Sequence, residues 1–312
     1  MTITTRFTEM FGCRHPLQQA GIGGMTSPAL AVAVAEAGAL GMLTGTIGKD
    51  ALAAQLDVLL AGVAIGVNFL IPFLDRSALE EASARRPLVE FFWGAPDREL
   101  VEVAHAGGAL ASWQVGSAGE ARAARDAGCD LIVAQGIDHV RGTVGLLPLL
   151  DEVRNVVDLP VVAAGGIGTG RAMAAVLTAG ADAVRVGTRF MAAMESSAHP
   201  AYVDALIGAE ADDTVVTTAF GEGWPDAPHR VLRSALAAGE ALGAAQSWGP
   251  DWPSATSTGA VEARALYAGQ SVGAVRARTT AAGIVNELVD EADRLLSTST
   301  MSESRKGRHD GK

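Results

Sequence analysis

The sequence predicts a (β/α)8 TIM barrel of class α/β, with a C-terminal excursion over the barrel mouth. Short apolar runs recur eight times at intervals of roughly 20–30 residues, the length of one strand–helix repeat. Alanine-rich segments with helical spacing fill the intervals, among them Pro28–Ala37, Ala51–Leu60 and Ser117–Ala127. The seventh and eighth runs end on glycine turns, Gly165-Gly166 and Gly187-Thr188. In such barrels the loops after strands seven and eight are the usual phosphate site. The rival fold is an open doubly wound sheet, which wants a G-x-G-x-x-G turn after its first strand. Residues Ala20–Ser27 (AGIGGMTS) match that turn only loosely.

In chain order, strands are expected at Pro16–Ala20, Leu40–Thr44, Ile65–Leu70, Val89–Trp93, Ala109–Gln114, Leu131–Gln135, Val161–Ala164 and Ala183–Val186. Each is a short, mostly apolar run, as a parallel strand covered on both faces requires. Leu159–Ala192 shows the unit most clearly: strand, glycine turn, helix over Thr169–Ala179, strand, second glycine turn. Glycine lets the backbone approach closely, so two such turns on adjacent strands can offer N–H groups to one phosphate. The plainer alternative is that these glycines only make tight turns. Several helices run into an Ala-Gly pair before the next strand, where Gly38, Gly128 and Gly180 are expected as helix stops.

The pattern breaks after Met194. Residues 1–194 carry the expected barrel strands and most helices, and 195–260 are expected to form a lid or small subdomain. Three of the five tryptophans fall within it, and Thr214–Phe220 reads as a strand. Residues 261–296 return to helical periodicity and are expected to close the barrel. The polar stretch 297–312 is expected to be disordered.

A chain of 312 residues can bury a full core as one barrel or two ordinary domains. A net charge of −11 argues against nucleic acid or an anionic membrane surface as partner. No run of eighteen apolar residues predicts a membrane span, and the N-terminus lacks a signal-peptide core, so a cytoplasmic location is expected. Cys13 and Cys129 are the only cysteines, which suits a reducing compartment. Without clustered histidines they predict no metal site. Cys129 reads as packing; for Cys13 a reactive thiol is the minor alternative.

Six segments carry a resemblance: Gln18–Leu43 (QQAGIGGMTSPALAVAVAEAGALGML), Gly66–Phe69 (GVNF), Ser112–Ser117 (SWQVGS), Ala134–Leu150 (AQGIDHVRGTVGLLPLL), Ala163–Arg171 (AAGGIGTGR) and Val186–Ala192 (VGTRFMA). In this order they resemble the nitronate monooxygenases, formerly 2-nitropropane dioxygenases, which are FMN-containing barrels. The resemblance spans nearly the whole chain up to about Leu296. It implies FMN as cofactor, with the backbone of Gly21, Ile22 and Gly23 facing the flavin ring and Asn68 hydrogen-bonding it. Gln114 and Gln135 would contact the ring or ribityl chain. Ala164, Gly165, Gly166, Gly187 and Thr188 would hold the phosphate. Taken alone, Asn68 or Gln114 reads as well as a satisfied polar residue at a strand end. Trp93 and Trp113 read as core packing, with a pocket wall as the alternative.

The resemblance also singles out His139 as catalytic. It follows strand six in Gln135-Gly136-Ile137-Asp138-His139, where the family carries a longer glycine-bearing turn before its histidine. The shortened turn alters how far His139 projects and puts Asp138 beside it. A histidine there can accept a proton from a carbon acid or, as imidazolium, stabilise an anion. His229 is the other histidine able to reach the mouth, although nothing in the sequence demands it. The leading expectation is oxidation of alkyl nitronates by O2, with a small nitro compound as substrate and a homodimer allowed. The alternatives are an NAD(P)H-dependent flavin reductase of enoyl thioesters and a flavin-binding barrel without turnover.

Overall fold

The computed structural model describes residues 3–59, 62–137, 143–224, 227–242, 249–250 and 252–306. The chain opens with a short helix, α1 (Arg6–Phe11), and then builds eight parallel strands. These are β1 (Leu17–Gln19), β2 (Gly41–Thr44), β3 (Ile65–Leu70), β4 (Leu88–Phe92), β5 (Leu110–Val115), β6 (Leu131–Gln135), β7 (Val161–Ala164) and β8 (Ala183–Val186). Each lies within one residue of its expected bounds. The hydrogen-bonded order is β1-β8-β7-β6-β5-β4-β3-β2. A parallel bridge between Gln18 and Leu40 joins β1 to β2. There the Gln19 amide donates to the Leu40 carbonyl and the Leu40 amide to the Leu17 carbonyl, each at 2.9 Å.

Side chains alternate across each strand, and that period of two divides the core. Met42, Leu88, Leu131, Val133, Val162 and Ala183 form one buried cluster inside the barrel. Their chain neighbours Leu43, Val89, Ile132, Val161 and Val184 belong to the larger cluster under the helices. Those helices follow β1 to β7 in turn: α2 (Pro28–Glu36), α3 (Lys49–Asp57), α4 (Arg76–Arg85), α5 (Arg98–Gly107), α6 (Ala118–Ala127), α7 (Leu146–Arg154) and α8 (Gly170–Thr178). Ser27, Asp75, Asp97, Ser117 and Thr169 cap five of them by accepting from first-turn amides. Gly38, Gly128 and Gly180 stand just past α2, α6 and α8 with positive φ, as expected of helix stops.

After β8 come a single helical turn, α9 (Thr188–Met191), and then the excursion. It contains α10 (Pro200–Ile207), an antiparallel pair of β9 (Thr214–Thr217) and β10 (His229–Leu232), and α11 (Arg233–Ala241). The strand expected over Thr214–Phe220 is β9, three residues shorter. The excursion has its own buried cluster, in which Tyr202, Leu206, Phe220, Val231 and Leu266 pack with Met25 and Met191 from the barrel mouth. This segment therefore rests on the carboxyl ends of the strands.

Two expectations for the C-terminal part need correction. Residues 261–296 are not helical throughout. Only short 3-10 turns form at Val261–Ala263 and Gln270–Ala274, and the final helix α12 starts at Ala281. Gly269 and Gly273 disfavour a continuous helix there. The stretch expected to be disordered from Ser297 is helical as far as Lys306. No Gly or Pro interrupts the chain between Gly283 and Gly307, so a helix nucleated against the barrel propagates. Helix α12 packs against α8 and α2 and takes the place of the barrel's eighth helix. Among the described residues no helix is long and apolar enough to cross a membrane.

Candidate active site

The carboxyl ends of the strands surround a cleft of about 1070 Å³, its open mouth included. All eleven residues expected to line a cofactor site border this one space: Gly21, Ile22 and Gly23 after β1, Asn68 on β3, Gln114 on β5, Gln135 on β6, Ala164, Gly165 and Gly166 at the end of β7, and Gly187 and Thr188 after β8. His139, the expected catalytic residue, lies outside the described residues, as do its neighbours 138 and 140–142.

The glycine end of the cleft is shaped by backbone. Gly165 (φ +95°) and Gly166 (φ +70°) are consecutive left-handed residues, a conformation that a side chain strains. Gly187 has an ordinary φ of −114°. A Cβ there would first meet Ala20 Cβ at 3.4 Å, so its bare face opens on the cleft rather than on packed protein. The Thr188 hydroxyl accepts from the Gly269 amide at 3.1 Å, which brings Gly269 and Ser271 to this end. Arg189 anchors the same corner from behind, donating to the Ala274 carbonyl at 2.6 Å and pairing with Glu287 of α12.

The floor is a buried polar network. Asn68 Nδ2 donates to Glu90 Oε1 at 2.7 Å, and Gln18 Nε2 donates to Glu90 Oε2 at 3.1 Å. Arg185 Nη1 donates to Gln114 Oε1 at 2.7 Å, Gln114 Nε2 donates to Gln135 Oε1, and Arg185 Nη2 contacts Glu90 Oε2. Burial pushes the Arg185 guanidinium down to about 9, which leaves it charged at neutral pH.

The walls are aromatic. Trp93 has φ +70°, the one positive value found for a non-glycine residue among those described. Its ring lies 4.4 Å from Trp224 and 4.7 Å from Phe92, centroid to centroid. Trp252 covers Gly23 so closely that a Cβ on that glycine would overlap its ring. Trp113, by contrast, is wholly buried outside the cleft. His229 lines the cleft from β10 with only 1% of its surface exposed. Its ring lies 5.1 Å from Tyr267. Burial lowers its pKa, opposed in part by the Ala227 backbone, so the imidazole is neutral.

Sequence reasoning passed over Arg185, Glu90 and the wall residues Trp224, Trp252 and Tyr267, and named His229 only as able to reach the mouth. Two of these had a legible signal. A charged residue flanked by apolar neighbours in a short buried strand, as in AVRV and LVEFF, must face either the helices or the barrel interior. Both cysteines are inert: burial pushes the Cys13 and Cys129 thiols up to about 12. Among the described residues no cluster of three His, Cys, Asp or Glu is arranged to hold a metal ion.

A glycine-rich end, a buried carboxamide floor and aromatic walls at the mouth of a (β/α)8 barrel agree with what sequence comparison finds. The sequence profile of nitronate monooxygenases matches residues 4–77 and 59–291. The chain belongs to the nitronate monooxygenase family. It is thereby an oxidoreductase of a flavoprotein family that acts on small molecules. One similar sequence is a Mycobacterium tuberculosis protein named (3aS,4S,5R,7aS)-5-hydroxy-7a-methyl-1-oxo-octahydro-1H-indene-4-carboxyl-CoA dehydrogenase. It is 35% identical over 246 residues, covering 76% of this chain and 68% of that one. FabK from Thermotoga maritima has a similar structure, with a TM-score of 0.83 and 28% identity over 96% of this chain and 100% of that one. The nitroalkane oxidase of Streptomyces ansochromogenes gives a TM-score of 0.76 and 31% identity over 94% and 99%.

Proposed function

We propose that this family member is an FMN-dependent nitronate monooxygenase that oxidises alkyl nitronates with O2 to carbonyl compounds and nitrite. The observation carrying this reading is that the glycine turns of β7 and β8 and the polar floor of Asn68, Gln114, Gln135 and Arg185 meet in one cleft. That donor set fits FMN. A Cβ on Gly187 would make only ordinary contacts, with Ala20 Cβ at 3.4 Å and Ile22 Cγ2 at 3.8 Å, and the consecutive left-handed Gly165 and Gly166 carry no side chain into the same cleft. Ala164, Gly165, Gly166, Gly187 and Thr188 would hold the phosphate, and Gly21 to Gly23 with the carboxamides would hold the ring. A bound flavin supplies two-electron oxidation of the substrate and returns the electrons to O2. The chain's own part is to exclude water with Trp93, Trp224 and Trp252, and to stabilise an anionic substrate. We assign that last task to His139, from its place directly after β6, with the neutral imidazole of His229 as a second polar contact.

A nitronate is an electron-rich anion and needs no nicotinamide to deliver its electrons. Purified protein should therefore show a flavin absorption band that bleaches anaerobically on adding ethylnitronate or propionate-3-nitronate. Rapid bleaching by NAD(P)H with no response to either nitronate would favour a second reading, a flavin reductase acting on an activated thioester. The Mycobacterium tuberculosis relative, whose name places a CoA thioester on its substrate, supports that reading.

A further inference from the structure

Charges are rare inside a barrel, and this one holds an opposed pair. Glu90 on β4 has no exposed surface and Arg185 on β8 is 7% exposed. In the strand order, β4 and β8 are separated by three strands in either direction, so the two side chains meet from opposite walls. Arg185 borders the cleft and Glu90 does not. The pair thus turns its cationic end to the cleft floor and keeps its anionic end beneath. Stability gives little reason for it, because replacing a buried ion pair by apolar groups of similar volume is often neutral or favourable. Yet the floor is wired to this pair: Asn68 through Glu90, and Gln114 with Gln135 through Arg185.

We propose that the Arg185–Glu90 pair sets the electron affinity of the flavin held above it. The inference rests on the flavin reading given above. Two-electron reduction with uptake of one proton adds one negative charge to a site that the protein shields from water. A cation at the floor favours that charge and an anion opposes it, more strongly than either would in water. Arg185 is the nearer of the two, so it draws electrons in while Glu90 moderates the pull. A substrate-reduced, O2-reoxidised site needs that balance, since both half-reactions must run downhill.

The test is a reductive titration of the FMN-loaded protein with dithionite against a reference dye of known potential. Glu90→Gln should raise the potential and Arg185→Gln should lower it. Each shift should correspond to a tenfold or larger change in the oxidised-to-reduced ratio, about 30 mV for a two-electron couple. Arg185→Lys keeps the cation and should stay close to the parent. A purely structural role would lower flavin occupancy in the variants without moving their potentials in opposite directions. Unmoved potentials, shifts of the same sign, or an Arg185→Lys protein that behaves like Arg185→Gln would overturn the proposal and leave the flavin reading standing. A parent protein that takes up no FMN would overturn both. If Arg185→Gln does not fold, Glu90→Gln decides alone: a raised potential supports the proposal and an unmoved or lowered one ends it.

Discussion

Single residues of the cleft separate binding from chemistry. Gly187→Val tests the phosphate cup more cleanly than a change at Gly165 or Gly166, because only the latter two have a positive φ that a side chain would strain. The variant should fold normally yet retain little FMN on gel filtration; stoichiometric flavin would remove Gly187 from the cup. His139→Asn should keep the flavin but slow its reduction by nitronate by about 10²–10⁴-fold, the usual weight of a general acid–base group. Reduction at the parental rate would make His139 a bystander. His229 offers a different contrast. Its lowered pKa adds a pH term: as pH falls below the usual imidazole value of 6.5, the unfolded chain takes up a proton that the folded one resists, so stability declines. His229→Phe should therefore lose stability less steeply on acidification and turn over substrate more slowly. A variant that loses stability on acidification as steeply as the parent would show that this imidazole does not set the pH dependence.

At the scale of elements, the strands were readable and the contacts at their ends only partly so. Strands buried on both faces leave a plain apolar run, which is why all eight fall within one residue of expectation. The residues expected to line a cofactor site were legible as neighbours in one cleft because each stands at or near the end of such a run. The roles of Arg185 and His229 were not, since a residue's usefulness at those places depends on what crosses the barrel or folds back over its mouth. The hairpin carrying His229 is joined to the barrel by contacts such as Arg230 to the Ile137 carbonyl at 3.3 Å, far apart in sequence. Helix α1 escaped notice for a related reason: six residues are too few for a periodic signal. Its work is to plug the amino end of the barrel. Phe7 is wholly buried with Leu40, Met42 and Leu88, and Arg6 grips Asp182 at 2.8 and 2.9 Å. Phe7→Ala should cost about 3–5 kcal/mol of unfolding free energy, as for other buried phenylalanines. A loss well under that range in urea denaturation would mean that α1 is an ornament on a barrel already closed below.

For the whole molecule, the question is how a chain that leaves the barrel after β8 comes back to finish it. The excursion occupies the mouth, and α12 returns to fill the gap between α8 and α2. The joint with α8 is tight at Gly170. A Cβ there would lie 2.5 Å from the Leu288 carbonyl and 2.7 Å from the Ala292 amide, and would also strike Glu291 Cβ. Most of these are backbone atoms inside a helix, which cannot step aside singly. The Gly170 amide also donates to Glu291 Oε2 at 2.7 Å, so the side chain of α12 helps cap the start of α8. Gly170→Val must push the two helices apart along their length, and overpacking of this kind costs roughly 1–3 kcal/mol. Gly119 in α6 is the control, since a Cβ there meets only the Ser117 hydroxyl at 3.8 Å. Gly119→Ala should be neutral or slightly stabilising by helix propensity. The Gly170→Val midpoint in urea should therefore fall while that of Gly119→Ala holds or rises, with the slope unchanged. Because Arg189 links α12 to the corner proposed to hold the phosphate, Gly170→Val should also weaken FMN retention. If it unfolds at the parental midpoint, α12 is not the helix that completes this barrel.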